Sequence, residues 1–90
     1  MRALKLTGQF KKDLKRYKHN APMLEDLERV LRQLKQNGKV DEKHLPHALT
    51  GNYKGCMECH VQSDFLLIWI DEEEQIVKLV RLGSHSELFK

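Results

Sequence analysis

Apolar residues recur at helical spacing through the first part of the chain. A weakly alternating stretch, Ala3–Leu6, predicts a short first strand, and Thr7 follows it as a residue whose hydroxyl oxygen can cap a helix. Over about residues 9–18, three apolar side chains are spaced i, i+4 and i+7, which predicts an amphipathic helix. These side chains are Phe10, Leu14 and Tyr17.

A longer apolar series predicts a second helix directly after the first. Pro22 suits the first turn of a helix, where its missing N–H removes no hydrogen bond. Apolar residues then recur at helical spacing over residues 24–34, and Gly38, which readily adopts positive φ, marks the end of the helix. The two helices are therefore expected to form a hairpin, followed by a connection over residues 40–52.

The second half of the chain changes to the pattern of strands. Three strand-like runs, 54–61, 65–70 and 75–82, are separated by predicted turns at 62–64 and 71–74. Short turns between consecutive strands are typical of an antiparallel meander. The middle run is apolar on both faces, so we expect it to be the most buried strand, with Trp69 in the core.

The element order is therefore β-α-α-β-β-β, an α+β fold in which a helical hairpin covers a small, mostly antiparallel sheet. Ninety residues correspond to a single domain, 1–90. The longest apolar run is only strand-sized, which predicts no membrane span. The N-terminus lacks the apolar core of a signal peptide, so we expect a cytoplasmic protein.

Charge changes this picture modestly. The formal net charge is +3, which favours a polyanionic or acidic partner without specifying one. Basic residues crowd residues 11–18, whereas acidic residues concentrate at 71–74. A solvated surface explains either run, but the basic run also suits contact with nucleic acid or with an acidic protein segment.

Four ionisable residues indicate chemistry rather than folding. His47 lies in a turn-rich stretch, His60 and Asp64 flank the break between two strands, and His85 follows the last apolar run. Histidine can take and give a proton near neutral pH, which suits general acid–base catalysis. With two neighbouring cations this set suits reaction at a phosphate. The cations are Lys54 and Arg81.

The run CMECH at residues 56–60 matches a c-type haem attachment pattern and offers three zinc ligands. In a strand, however, Cys56 and His60 point to one face and Cys59 to the other, so one metal ion cannot collect all three. A tetrahedral zinc site would also need ligands from elsewhere in the chain. We therefore expect reduced thiols packed as small apolar residues, with no metal or cofactor.

Four blocks of the sequence resemble the YafQ-type branch of the RelE/ParE superfamily of toxins from bacterial toxin–antitoxin pairs. They are TGQFKKDLK at 7–15, HALTGNYKG at 47–55, HVQSDFLLIW at 60–69 and RLGSHSELF at 81–89. With the element order, the resemblance covers nearly the whole chain and implies a RelE-like fold. The cysteine-bearing strand departs from the polar strand of such toxins, but it does not alter the four candidate positions.

The resemblance implies an endoribonuclease that cuts mRNA on the ribosome without metal, through attack by the substrate's 2′-hydroxyl. Its implied catalytic set is His47, His60, Asp64 and His85, with Arg81 facing phosphate and Phe89 near the site. Its implied partners are ribosome-bound mRNA, a cognate antitoxin protein and, through the toxin–antitoxin complex, operator DNA.

Several alternatives stay open at this level. His85, at a strand end, suits the acid that protonates the leaving 5′-oxygen, whereas either His47 or His60 suits the base, with Asp64 orienting an imidazole. His19 and His44 are expected to be solvated loop residues. A non-enzymatic inhibitor of translation or gyrase from the same superfamily is the competing function, and a haem or metal module is the third.

Overall fold

The computed structural model describes residues 1–73 and 75–89, which form a five-stranded mixed sheet with the strand order β1-β5-β4-β3-β2. The first strand is parallel to β5, and every other neighbouring pair is antiparallel. The predicted meander is thus confirmed. The strands are β1 Ala3–Leu6, β2 His47–Ala48, β3 Met57–Gln62, β4 Phe65–Glu73 and β5 Ile76–Gly83.

Two long helices form the predicted hairpin. Helix α1 spans Gly8–Lys15, and Thr7 caps it by accepting a hydrogen bond from the Phe10 N–H at 3.1 Å. Helix α2 spans Ala21–Asn37 and ends at Gly38, whose φ of 70° is the left-handed conformation expected there. A short C-terminal helix, α3, spans His85–Leu88.

The hairpin buries one face of the sheet, which we call the helix face. Its apolar contacts join α1 and α2 to alternate residues of the three long strands, and Trp69 lies among them at 2% exposure. The opposite face, which we call the site face, carries a smaller cluster formed by Leu66, Ile68 and Leu88. The residues of β4 from Phe65 to Trp69 are all buried, as predicted for the middle strand.

Helix α1 also covers the edge of β5 beyond the end of β1. The first strand pairs with β5 only as far as Leu79. After that point, Thr7 Oγ1 donates to the Val80 carbonyl at 3.2 Å, and the Asp13 carboxylate accepts from the Leu82 N–H at 3.0 Å. Side chains of the helix therefore satisfy the backbone where the strand ladder stops.

The ends of α1 and β4 differ from the predictions. Helix α1 ends at Lys15, not near Lys18, because Arg16 and Tyr17 N–H groups bond three residues back and tighten the chain into the hairpin turn. The predicted turn at 71–74 is wrong in its first part, since β4 continues to Glu73 and pairs with β5. Glu74 lies outside the described residues.

The connection between α2 and β3 contains structure that the sequence did not predict. Single 3₁₀ turns at Glu42–His44 and Gly51–Tyr53 flank β2, which pairs with the start of β3. The strand β3 begins at Met57, so Lys54 lies in the preceding loop and not in a strand. Within the described part of the chain, no helix is long and apolar enough to cross a bilayer.

Candidate active site

One row of paired residues crosses four strands on the site face. His47 pairs with Glu58, Glu58 with Ile68, and Ile68 with Arg81. Directly opposed residues of neighbouring strands project to the same face of a sheet. Ionisable side chains therefore stand on both sides of a buried apolar residue, on the face that the helical hairpin leaves uncovered.

Both ring nitrogens of His47 lie close to oxygen atoms. Its Nδ1 lies 2.9 Å from the Leu45 carbonyl oxygen, and its Nε2 lies 3.1 Å from Glu58 Oε1. The side chain is 47% exposed, so solvent and ligands reach its ring. Pairing with β3 thus fixes a histidine that the sequence had placed only in a turn-rich stretch.

Glu58 is a site residue that the sequence analysis missed. The residue is 4% exposed, and its Oε2 has no hydrogen-bond partner among residues 1–73 and 75–89. The missed signal was available, because the alternation that puts Cys56 and His60 on one face of a strand puts Glu58 on that face too.

His60 lies in the next row of the site face, paired with Leu66, which in turn pairs with Gly83. The centroid of its ring is 6.5 Å from that of His47. His60 Nδ1 is 3.0 Å from the Ser63 carbonyl oxygen. Because a carbonyl only accepts, Nδ1 carries the hydrogen, and in the neutral ring the lone pair lies on Nε2.

Asp64 connects the β3–β4 turn to the C-terminal helix. Its Oδ1 accepts a hydrogen bond from the His85 backbone N–H at 2.9 Å. Ser84 and Glu87 complete the start of α3 as a capping box, in which each side chain bonds to the backbone of the other residue. His85 is thereby placed at the first position of α3, exposed to solvent.

Aromatic contacts fix the end of α3 against the sheet. The ring centroid of Phe89 is 4.9 Å from that of His85 and 5.5 Å from that of Tyr53, which meets it edge-on. The Tyr53 hydroxyl donates to the Leu88 carbonyl at 3.3 Å. Phe89 is partly buried in this arrangement, and it retains exposed ring surface beside His85.

Arg81 is bound to a buried carboxylate of α1. Its Nε and Nη2 donate to Asp13 at 2.8 and 3.3 Å, and its Nη1 donates to the Tyr53 hydroxyl at 3.2 Å. Burial opposes ionisation of Asp13, but hydrogen bonds from Arg81 and from the Leu82 N–H hold the pKa of its carboxyl below the usual range. The Asp13 hydrogen bond in turn raises the pKa of Arg81.

Asp13 is the second residue that the sequence analysis missed. It lies three residues after Phe10 and is fully buried with it. An acidic residue at a core-facing position of an amphipathic helix is the signal, because a buried charge needs a partner. Lys54, by contrast, is exposed at the end of the Gly51–Tyr53 turn, close in sequence to Tyr53.

The C-terminal segment is also tied to α1. The Tyr17 hydroxyl donates to Glu87 Oε1 at 2.5 Å, and Arg16 Nη1 lies 3.4 Å from Glu87 Oε2. The Ser84 backbone N–H and Tyr17 lower the pKa of Glu87. Burial and the Glu87 carboxylate raise the pKa of Tyr17 to about 12. Helix α3 is therefore anchored at both ends.

The cysteines lie as the sequence predicted. Cys59 is buried on the helix face, and Cys56 packs on the site face, both as free thiols. Burial raises the pKa of Cys59 to about 12, so this thiol is inert at neutral pH. Within 1–73 and 75–89, no group of three or more side chains of the His, Cys, Asp and Glu types is arranged to hold a metal ion.

One prediction about the histidines was wrong. His44 is partly buried, and its Nδ1 lies 2.8 Å from the His60 carbonyl oxygen. It therefore links the segment between α2 and β2 to strand β3 instead of facing solvent. His19 is exposed in the hairpin turn, as predicted.

A basic groove lies away from the site, between α1 and α2. It has a volume of about 500 Å³, with Leu14 and Leu24 in its lining. Three exposed lysines complete the lining: Lys11, Lys15 and Lys18. The crowded positive charge predicted from the sequence therefore borders an apolar surface, which suits an amphipathic partner segment.

The similarity to known proteins extends along nearly the whole chain. Residues 2–90 match the family described as bacterial toxin of type II toxin-antitoxin system, YafQ. A YafQ toxin of Haemophilus influenzae is 41% identical over 51 residues, which cover 53% of this chain and 50% of that protein. The mRNA interferase toxin YafQ of Escherichia coli is 27% identical over 89 residues, which cover 98% of this chain and 96% of that toxin.

Solved structures match the fold over the same length. A chain of the E. coli DinJ-YafQ complex has a TM-score of 0.86 and 26% identity, with 100% of each chain covered. A metal-bound toxin from Helicobacter pylori has a TM-score of 0.86 and 37% identity, with 99% of this chain and 100% of that chain covered.

Proposed function

The chain belongs to the YafQ family of bacterial type II toxins, and we propose that it cuts mRNA on the ribosome by acid–base catalysis that needs no metal ion. It is an endoribonuclease of the mRNA interferase class, like the E. coli toxin that it matches along nearly all of its length. The observation that carries the proposal is the arrangement of three histidines at the site face. The ring centroids of His47 and His60 lie 6.5 Å apart, and the backbone N–H of His85 donates a hydrogen bond to Asp64 in the adjacent turn.

The reaction sets three requirements. A base must take the proton of the 2′-hydroxyl, an acid must protonate the departing 5′-oxygen, and positive charge must stabilise the phosphorane between them. The products are a 2′,3′-cyclic phosphate and a 5′-hydroxyl, and the bond that breaks is the phosphorus–5′-oxygen bond. No side chain of the protein attacks the phosphorus atom in this reaction.

His60 is the base in this proposal. Its Nδ1–H donates to Ser63, which leaves the Nε2 lone pair free to accept the 2′-hydroxyl proton. His47 is less suited to this step, because its Nδ1 lies 2.9 Å from the Leu45 carbonyl oxygen and its Nε2 lies 3.1 Å from Glu58 Oε1. This geometry supports His60 as the base, a choice that the sequence left open.

His85 is the acid. It is exposed, and its position depends on Asp64, which bonds to its backbone N–H, and on the capping box at the start of α3. Asp64 therefore acts by placing the helix that carries the acid. A proton donor on an anchored helix can reach the leaving oxygen without a large loop movement.

Two cations and an aromatic ring complete the proposed site. Three of the five N–H groups of Arg81 bond to Asp13 and Tyr53, which leaves two to approach a phosphate from an orientation fixed by α1. Lys54 supplies a second charge from an exposed loop. The exposed ring surface of Phe89 gives a base of the substrate a stacking partner.

Membership of this family supports a complex with a cognate antitoxin, since the E. coli relative forms the DinJ-YafQ toxin-antitoxin complex. The basic groove between α1 and α2 suits an acidic, amphipathic segment of that antitoxin. Contact with operator DNA is proposed only through the toxin–antitoxin complex.

The decisive experiment maps mRNA ends after brief induction of the toxin in cells. We expect growth arrest with new ends inside translated codons, and each new 5′ end should be a hydroxyl. The His19→Ala variant should cut equally well, because His19 is exposed and remote from the site face. Growth arrest with intact mRNA and stalled supercoiling would instead favour the gyrase-inhibitor alternative.

A further inference from the structure

We propose that a cleft on the site face binds the nucleobase directly 3′ of the cut phosphate, and that Asn52 reads the edge of that nucleobase. The proposal rests on the proposed nuclease function and deepens it, because it assigns part of the sequence preference to one side chain. We call this feature the nucleobase cleft. It has a volume of about 240 Å³, and its lining consists of Thr50, Asn52, Tyr53, Leu88 and Phe89.

The nucleobase cleft adjoins two groups of the proposed reaction. The ring centroid of Phe89, in its lining, lies 4.9 Å from that of His85, the proposed acid. The Tyr53 hydroxyl, also in the lining, accepts a hydrogen bond from Arg81 Nη1 at 3.2 Å. A nucleotide whose phosphate meets Arg81 therefore has this cleft beside it.

The position of His85 determines which nucleobase lies next to the cleft. The leaving 5′-oxygen belongs to the nucleotide on the 3′ side of the cut, and the acid must be within hydrogen-bond reach of that oxygen. Because the Phe89 ring lies beside that of His85, the nucleobase of the same nucleotide is the one brought to the cleft. We therefore expect a sequence preference at the position directly 3′ of the cut.

The nucleobase cleft combines an aromatic surface with polar groups. Phe89 meets Tyr53 edge-on at 5.5 Å and offers ring surface for stacking, which accepts any nucleobase. The Tyr53 hydroxyl donates its hydrogen to the Leu88 carbonyl, so it is not free to donate to RNA. Asn52 is exposed, and its amide carries a donor beside an acceptor, which can pair with a nucleobase edge through two hydrogen bonds. Stacking thus supplies affinity, and Asn52 supplies discrimination.

The loop that carries Asn52 is fixed by its own backbone. Gly51 has a φ of 68°, the left-handed conformation that glycine adopts readily. The Lys54 N–H donates to the Gly51 carbonyl at 3.1 Å, and the Cys56 N–H donates to the Tyr53 carbonyl at 2.9 Å. A loop that is ordered before RNA binds loses little conformational entropy on binding, which favours selective contact by its side chains.

Single-turnover cleavage on programmed ribosomes tests the role of Asn52. Four mRNAs carry the mapped wild-type cut site and differ only in the nucleobase directly 3′ of the cut. The wild-type protein should cut the best of them about tenfold or more faster than the worst, as expected for one contact through two hydrogen bonds. In Asn52→Ala this ratio should fall to about two- or threefold, because stacking remains. The matched control Asn37→Ala removes an exposed amide at the end of α2 and should keep the wild-type ratio.

Three outcomes would overturn the role of Asn52. Equal wild-type rates on the four mRNAs would show that this nucleobase is not read. An unchanged ratio in Asn52→Ala would assign the reading to another group, and an equal loss of rate on all four mRNAs would show that Asn52 only supports the loop. Asn52→Asp keeps the shape of the side chain and removes its donor, so it tests the same contact and should also lower the ratio.

A binding measurement separates the nucleobase cleft from the proposed reaction. A 2′-O-methyl trinucleotide lacks the attacking hydroxyl and cannot be cut. At millimolar concentration it should shift the NMR signals of the Asn52 amide and the Phe89 ring, and leave that of the Asn37 amide unchanged. If these signals shift although the wild-type chain leaves mRNA intact, the nuclease proposal fails and the nucleobase cleft stands. Unchanged Asn52 and Phe89 signals would remove the cleft as a nucleobase site, even where mRNA is cut.

Discussion

The Asp64 carboxylate accepts a hydrogen bond from the His85 backbone N–H at 2.9 Å, which ties the β3–β4 turn to the first residue of the C-terminal helix. The sequence had suggested that Asp64 orients an imidazole ring. Its described hydrogen bond instead fixes the backbone of another histidine. The hydrogen bond thus fixes the β3–β4 turn and the start of α3 relative to each other at the edge of the site face, although the two residues are 21 positions apart.

This relationship predicts different effects for two substitutions of Asp64. Asp64→Asn keeps an oxygen acceptor for the His85 N–H, so we expect cleavage within about threefold of wild type. Asp64→Ala removes the acceptor and frees the start of α3, so we expect cleavage to fall by about tenfold or more. In vitro cleavage on programmed ribosomes measures both rates.

The pair of variants also separates two roles for Asp64. Equal, severe losses in Asp64→Asn and Asp64→Ala would mean that the negative charge itself takes part in the reaction. Circular dichroism of each variant controls for loss of fold. An exposed aspartate of β4 gives a matched control, Asp71→Ala.

Local patterns predicted much of this fold, and long-range pairing decided the rest. The helices followed from apolar spacing and from end signals at Thr7 and Gly38, which act within a few residues. The two-residue strand β2 has no periodicity of its own, and it exists because His47 and Ala48 pair with β3. Likewise, the acidic end of β4 reads as a turn in the sequence but extends by pairing with β5.

The same distinction explains the site. Histidines in short motifs could be identified from the sequence, whereas the partners of Asp13 and Glu58 became known only when the fold brought these two residues to Arg81 and His47. A charged side chain needs a partner when it is buried, and which side chains are buried is decided by the packing of the whole structure. The proposal that His60 is the base likewise needed the position of the Ser63 carbonyl oxygen.

Substitution of His85 should remove activity without unfolding the protein. His85 is exposed, so His85→Ala should change the free energy of unfolding by no more than about 0.5 kcal/mol. Loss of the proposed proton donor should lower cleavage by about 10²-fold or more and abolish growth arrest. His19→Ala is the matched exposed control and should stay toxic. A folded His85→Ala protein with the wild-type rate would move the acid role to another histidine.

Cleavage should continue after metal ions are removed. The proposed steps use imidazole groups and fixed cations, and Asp64 is the only carboxylate among the four predicted catalytic residues, so the step needs no metal-activated water. We expect cutting to persist in EDTA at concentrations that leave ribosomes intact, with 5′-hydroxyl products. New 5′-phosphate ends would indicate hydrolysis by a metal-bound water instead.

The Asp13–Arg81 pair should make stability depend on acid pH. The pKa of Asp13 is lower in the folded protein than its ordinary value of 3.8, so its contribution to stability is complete above that value. The contribution is lost as the pH falls through the folded-state pKa. Urea denaturation should therefore show a free energy of unfolding that declines below about pH 4.

Asp13→Asn isolates this effect. The substitution leaves Arg81 without its counter-charge. We expect the free energy of unfolding to fall by about 3 kcal/mol at pH 7, and the difference from wild type to become smaller as the pH is lowered below 4. Asp71→Asn removes an exposed carboxylate and serves as the control. A constant difference across this pH range would show that packing, and not ionisation, accounts for the loss.

The basic groove should control how fast the antitoxin binds. Reversing the three groove lysines, Lys11, Lys15 and Lys18, to glutamate replaces attraction with repulsion at the rim and leaves the apolar lining of Leu14 and Leu24 in place. Stopped-flow mixing with the cognate antitoxin should show an association rate that is lower by about tenfold or more. Added salt should slow association of the wild-type protein and have a much smaller effect on the variant, because salt screens the attraction that the variant lacks.

Lys39→Glu changes an exposed lysine outside this groove, and this variant should bind the antitoxin like wild type. Equal association rates for wild type and the triple variant at low salt would place the antitoxin on another surface.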